Sequence, residues 1–343
     1  MVKNLLITGG CGFIGSNFIN YIFPKGEYVI VNLDNMYYCA SESNIDVSIR
    51  GDKNYTFIKG NVCSEDLVSN ILQIYEIDEV IHFAAQSHVQ NSFDDSLQFT
   101  KDNVLGTHVL LECCRKYGKI RKFIHVSTDE VYGESMNTIE EEQKTEHSIL
   151  CPTNPYAATK AGAELIAQSY NHSYGMPIII SRGNNVYGPN QFPEKLIPRF
   201  ISLLQSNKQV TIQGDGSSVR AFLHSEDTAR AFECILKKGK IGEIYNIGCD
   251  EGMEFSVLEV AKILINKIHL TTNYDKWITY IKDRPFNDQR YYISNQKLKS
   301  LGWDVKIPFE KGISELITFH ENCKHMKEIT ELSRKPSEQQ VPL

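Results

Sequence analysis

The feature that most constrains this chain sits near its start. Residues 3–8, centred on Leu5, Leu6 and Ile7, read as a short buried strand. Gly9, Gly12 and Gly15 follow at GxxGxxG spacing, and residues 16–22 read as a helix. Strand, glycine turn and helix in that order let backbone approach a pyrophosphate, with the positive end of the helix dipole facing it. The spacing differs from the commoner GxGxxG fingerprint, and a glycine cluster alone is also an ordinary loop. The next strand, 28–34, closes on Asp34. An acid there suits the ribose hydroxyls of an adenosine and repels the extra phosphate of NADP, so the pattern points to NAD. The plainer alternative is an Asp that opens a loop.

The alternation continues down the chain. Residues 55–62 read as a strand, 65–75 as an amphipathic helix, 79–88 as a strand opening into small residues, 99–117 as one long helix, and 122–127 as another strand. Repeated strand–helix units of this length imply a parallel sheet covered on both faces. Ala84 and Ala85 leave room for a flat cofactor, and Ser87 is in a position to reach a substrate. The second half is less regular. Residues 177–182 read as a strand and 183–199 as an Asn-, Gly- and Pro-rich loop, with Lys195 able to hold a polar ligand. Residues 210–216 read as a hairpin element, and a helix begins near Ser225. The acidic run Glu140–Glu142 reads as a solvated loop.

Composition removes several function classes. With 343 residues the chain can bury a full core and two lobes. A net charge of −6 argues against nucleic acid or an anionic membrane as the main partner. The nine cysteines show no CxxC or Cys/His spacing, so no metal site is expected. No signal peptide or membrane-spanning run is evident, and reduced thiols in the cytoplasm are the expectation.

Two further patterns carry chemistry. Ser127, Thr128, Asp129 and Glu130 follow directly on the strand at 122–127. Ligands of parallel sheets bind at the carboxyl ends of strands, and two carboxyls there become an acid and a base if their surroundings separate their pKa values. A polar strand exit is the competing account. Downstream, Asn154 is a good N-cap and Pro155 suits the first helical position, which puts Tyr156 and Lys160 one turn apart on the same helix face. An ammonium near a phenol lowers its pKa toward that of a usable base. YxxxK is also a common exposed pair.

With GxxGxxG, Asp34, Ser127-Thr128 and Tyr156-xxx-Lys160 in this order, the chain resembles the extended short-chain dehydrogenase/reductase family over about 320 residues. Thr128-Asp129-Glu130 resembles the nucleotide-sugar 4,6-dehydratases within it. The stretches 182–195 and 283–291 look closest to the UDP-glucose 4,6-dehydratase domain of plant rhamnose synthases. The resemblance implies an α/β fold, a Rossmann-type doubly wound parallel sheet with a smaller C-terminal α/β substrate-binding lobe. It implies an NAD-binding domain over 1–180 with later segments returning to it and a nucleotide-sugar lobe over 181–325; the charged end of the chain over 326–343, with Pro336 and Pro342, reads as a flexible tail. A homodimer through the Tyr156 helix and its neighbour is also implied.

Site residues follow from the same resemblance. Besides the glycines, Phe13, Ile14, Asp34 and Asn35 would contact NAD, as would Asn61 and Val62, then Phe83, Ala84 and Ala85, with Tyr156 and Lys160 at the nicotinamide end. Many relatives carry Asp where this chain has Asn61, whose carbonyl can still serve adenine. Ser87, Thr128, Asn185, Lys195 and Leu196 would contact substrate, followed by Arg220, Asn246, Arg284 and Asn287. Implied catalysis has Tyr156, helped by Lys160, deprotonate the sugar 4-hydroxyl while hydride passes to NAD, with Thr128 steadying the oxygen. Glu130 then takes the proton from carbon 5, protonated Asp129 releases the 6-hydroxyl as water, and hydride returns to carbon 6. Substrate is UDP-glucose in this reading, with dTDP-glucose and a 4-epimerase as alternatives.

Overall fold

The computed structural model describes residues 2–135, 142–282 and 288–333. Among the described residues twelve strands order the chain: β1 (Lys3–Thr8), β2 (Tyr28–Asp34), β3 (Tyr55–Lys59), β4 (Glu79–His82), β5 (Lys122–Thr128), β6 (Ile178–Gly183), β7 (Asn185–Tyr187), β8 (Val210–Gln213), β9 (Val219–His224), β10 (Ile244–Ile247), β11 (Glu254–Ser256) and β12 (Ile278–Ile281). Seven form one sheet in the order β10-β6-β5-β4-β1-β2-β3. Every pairing in it is parallel. The order reverses direction between β1 and β4, the place where a doubly wound sheet opens a crevice.

Alternation along β1 explains the layers. Leu5 and Ile7 join Phe18 and Ile19 of the helix Phe13–Ile22 and Phe232 of the helix Ser225–Lys238 on one face. Leu6 points the other way, into a cluster with Leu72 of Glu65–Ile74, Leu110 of Gly106–Tyr117 and Ala167 of Pro155–Tyr174. A third cluster, built on Tyr187, Phe200, Ile212, Phe222, Leu264 and Phe309, holds the smaller lobe together. That lobe carries a three-stranded sheet β11-β9-β7 and the pair β12-β8.

Several local readings differ from the structure. The stretch 210–216 is not a hairpin: β8 pairs in parallel with β12, 68 residues farther on by Cα register Ile278↔Val210. Gly214 and Gly216 do adopt positive φ, but β9, the next strand, lies in a different sheet from β8. The expected single helix 99–117 starts with Ser96–Phe99, passes through a π-helical stretch Thr100–Leu105 and continues as Gly106–Tyr117. Of the stretch 326–343 expected as a tail, the residues up to Ser333 belong to the helix Phe309–Ser333, and those from 334 on lie outside the described residues. Of the acidic run, Glu140 and its neighbour at 141 lie outside the described residues. No described helix is long and apolar enough to cross a membrane.

Candidate active site

A cavity of about 690 Å3 runs from the first glycine turn, across the carboxyl ends of β4 and β5, to the strands of the smaller lobe. Its upper end is built of close backbone approaches. Gly9 has φ 73°, and a Cβ there would sit 2.6 Å from the Ala84 nitrogen. A Cβ on Gly15 would sit 2.4 Å from the Gly9 carbonyl oxygen. Both positions therefore require glycine. The helix Phe13–Ile22 begins at Gly12 with no side-chain cap and no acid in its first turn, which leaves its N–H groups free for an anion. Asp34 ends β2 with one carboxylate oxygen accepting from the Cys11 N–H at 2.9 Å and the other from the Met36 N–H at 2.8 Å. Burial nonetheless raises its pKa. This cradle fits the diphosphate and adenosine ribose of a dinucleotide.

The remaining expected cofactor residues border the same space: Phe13, Ile14 and Asn35, then Asn61 and Val62, then Phe83, Ala84 and Ala85. The Asn61 carbonyl already accepts from the Cys63 N–H at 2.8 Å, so one of its lone pairs is spent locally. Ser87, Asn185, Lys195, Leu196 and Arg220 line the lower part. Lys195 donates to the Ser87 carbonyl at 3.2 Å, tying the 183–195 loop to the end of β4. Asn246 does not reach the cavity. It is fully buried, accepts from the Tyr132 hydroxyl at 2.8 Å and donates to the Lys144 carbonyl at 3.2 Å, so it braces β10 instead. Arg284 and Asn287 lie outside the described residues.

Thr128, Glu130, Tyr156 and Lys160 share the middle of the cavity. The helix Pro155–Tyr174 begins as its sequence requires, with Asn154 Oδ1 accepting from the Ala157 N–H at 2.9 Å. The other end of that side chain, Nδ2, donates to Glu130 Oε2 at 3.0 Å. One asparagine thus caps the Tyr156 helix and holds the carboxylate opposite it. The Thr128 hydroxyl favours the ionised form of the Tyr156 phenol.

Asp129 is set one layer back and does not line the cavity. It is 2% exposed, with Oδ1 accepting from the Thr128 hydroxyl at 3.1 Å and Oδ2 from Asn184 Nδ2 at 2.7 Å. Burial and then the Glu130 charge push its pKa up to about 7. Burial also raises that of Glu130, opposed by Asn154 and Arg220.

Lys160 makes no hydrogen bond to Tyr156, the contact that the helix spacing suggested. Its ammonium donates to the Val126 carbonyl at 2.6 Å, and burial lowers its pKa to about 8, partly offset by Glu164. Tyr156 moves the opposite way from that expectation: burial, then the Glu130 and Asp129 charges, raise its pKa. The reason is geometric, since the ammonium goes to backbone while carboxylates face the phenol.

Sequence reasoning missed Asn184, Asp288 and Tyr291. Tyr291 is buried, its hydroxyl donates to Asp288 Oδ2, and it lies 3.4 Å from Glu130 Oε2. These contacts join residues 288–291, the described part of the stretch that carries the resemblance, to the acid turn after β5. No local signal in the sequence marks them.

Comparison with known proteins agrees with this geometry. The family described as GDP-mannose 4,6 dehydratase matches residues 6–316. An Arabidopsis thaliana trifunctional UDP-glucose 4,6-dehydratase/UDP-4-keto-6-deoxy-D-glucose 3,5-epimerase/UDP-4-keto-L-rhamnose-reductase is 50% identical over 321 residues, 93% of this chain. The chain spans 47% of that protein, about half its length. The human dTDP-D-glucose 4,6-dehydratase is 45% identical over 95% of this chain and 93% of its own. Among solved structures, dTDP-glucose 4,6-dehydratase from Bacillus anthracis in complex with NAD is similar with a TM-score of 0.86 at 37% identity, covering 94% of this chain and 98% of that one.

Proposed function

The chain belongs to the family described as GDP-mannose 4,6 dehydratase, and from that membership we propose that it is an NAD-dependent nucleotide-sugar 4,6-dehydratase acting on UDP-glucose. The product in this reading is UDP-4-keto-6-deoxyglucose, a precursor of UDP-rhamnose or another deoxysugar. One observation carries the proposal: Thr128, Glu130 and Tyr156 open on one cavity that is continuous with the dinucleotide cradle, and Asp129 is hydrogen-bonded to Thr128 behind them.

Each residue has a step it is suited to. Tyr156 takes the proton of the sugar 4-hydroxyl, and Thr128 offers its hydroxyl to the same oxygen. The ketone at carbon 4 acidifies the hydrogen on carbon 5, and Glu130 removes it. Asp129, kept protonated by burial, supplies the proton with which the 6-hydroxyl leaves as water. Gly9, Gly15 and Asp34 would hold NAD, which when bound supplies a hydride store and a positively charged ring. Such a charge is what Tyr156 needs, since its own surroundings oppose the phenolate.

The dTDP-glucose reading is favoured by the human and Bacillus anthracis relatives. A 4-epimerase would have no use for the carboxyl pair. Incubation with UDP-glucose and dTDP-glucose in separate reactions tests all three: a nucleotide sugar lighter by one water identifies the dehydratase and its base, and an isomer of unchanged mass means the epimerase. We also keep a cytoplasmic homodimer in this reading. All nine cysteines are unpaired, and Leu105 and Leu165 are exposed on the two neighbouring helical segments. Sedimentation as a monomer would remove the dimer.

A further inference from the structure

We propose that Asp288 is a positioning residue for Glu130, acting through the direction in which the Tyr291 hydroxyl points its hydrogen. The inference rests on the reading of Glu130 as the base at carbon 5. Tyr291 has one hydroxyl hydrogen and two carboxylates within reach. Asp288 Oδ2 is 2.5 Å from the hydroxyl and Glu130 Oε2 is 3.4 Å, so the hydrogen goes to Asp288. Asp288 is itself fixed, its Oδ1 accepting from the Thr153 hydroxyl at 2.8 Å. The phenol oxygen therefore turns its lone pairs toward Glu130. Lone pairs facing a carboxylate disfavour its charge, and lone pairs facing a carboxylic acid accept its proton. Glu130 meets an acceptor that is already aligned when it becomes an acid.

Other charges face Glu130 from every side of the site. Arg220 on β9 and Lys195 before the next helix favour its ionised form, as does the Asn154 amide, while Asp288 opposes it. Asp129 is adjacent in sequence, and Tyr156 faces it from the catalytic helix. Against two cations and an amide, burial first and then the Asp288 charge keep Glu130 basic, and the Tyr291 hydroxyl, with its hydrogen on Asp288, adds no donor to the cations' side.

The proposal makes a prediction that runs against simple truncation logic. Asp288→Asn keeps the shape but presents an amide that donates to the phenol oxygen, which turns the Tyr291 hydrogen onto Glu130 and weakens the base. Tyr291→Phe removes the hydroxyl and that penalty together. The expected result is a dehydration kcat about tenfold or more lower in Asp288→Asn, a smaller loss in Tyr291→Phe, and recovery of the double variant to the Tyr291→Phe level. Substrate deuterated at carbon 5 should show a larger isotope effect in Asp288→Asn, and substrate deuterated at carbon 4 should not. If Asp288→Asn fails to fold, Thr153→Val, which loosens Asp288, should enlarge the same carbon-5 isotope effect. A double variant at least as slow as Asp288→Asn, or carbon-4 and carbon-5 effects that move together, overturns the proposal. A wild type that yields no keto sugar sinks the dehydratase reading itself, which is a different outcome from either.

Discussion

At the scale of single residues, the site separates two neighbouring carboxyls by what touches them. Asp129 has a raised pKa of about 7 because it is enclosed and next to Glu130, with Asn184 and Thr128 pulling the other way. In the proposed mechanism only its acid form can release the 6-hydroxyl, so that step is present below the pKa and fades as pH rises through about 7. Asn184→Ser removes a donor that favours the carboxylate and should move this basic limb to higher pH. A pH profile of dehydration at saturating substrate checks it, and an unmoved limb would mean that Asp129 is not the titrating acid. The pair itself was legible in the sequence because both residues are adjacent and follow an apolar strand. Asn184 was not, because its contact spans 55 positions. A still longer separation in sequence hid Tyr291, 161 positions from Glu130. Asn246 shows the opposite case: a resemblance marks the position, while its side chain bonds Tyr132 and Lys144 and does not line the cavity.

At the scale of elements, local rules worked where the partner lies within a few residues. The N-cap at Asn154 and the strand–turn–helix at 3–22 follow from spacing alone. The β8 stretch failed because its partner is a distant parallel strand, and parallel pairing leaves no turn signature between the two. Asn154 also offers a clean separation of fold from function. Asn154→Ser keeps an oxygen to cap the helix, so stability should fall by no more than about 1 kcal/mol. It loses the amide that holds the Glu130 carboxylate opposite Tyr156, so Glu130 becomes more basic but loses its aim at carbon 5, and kcat should fall about tenfold or more. Thermal melts and steady-state rates on one preparation would test this, and a parallel loss of both would mean the cap is the whole effect.

At the scale of the molecule, the two lobes are threaded through each other. β10 is the outermost strand of the large sheet although the smaller lobe's strands precede and follow it. The helix Ser225–Lys238 brings Phe232, Ile235 and Leu236 into the same core as Phe18 and Ile19. Each such side chain is worth roughly 1.5–3 kcal/mol on burial, and a domain's whole margin is about 5–15 kcal/mol. A chain ending at residue 180 should therefore show no cooperative melting by circular dichroism. Sharp two-state melting of that fragment would show that the first 180 residues are a self-sufficient unit.

The π-helical stretch Thr100–Leu105 has one further consequence. A π turn is an α-helix with one surplus residue. The surplus pushes Asn103 inward, where Oδ1 accepts from the Gln86 N–H at 2.7 Å and Nδ2 donates to the Gln86 carbonyl at 3.0 Å. Subtracting a residue, for instance Lys101, should let the coil wind regularly with Thr107, Leu110 and Leu111 still against the sheet, but withdraw the asparagine. The protein would then stay folded while the Gln86 amide exchanges with deuterated water much faster. A chain length that looks like an insertion to be trimmed is what keeps the floor of the catalytic chamber fastened.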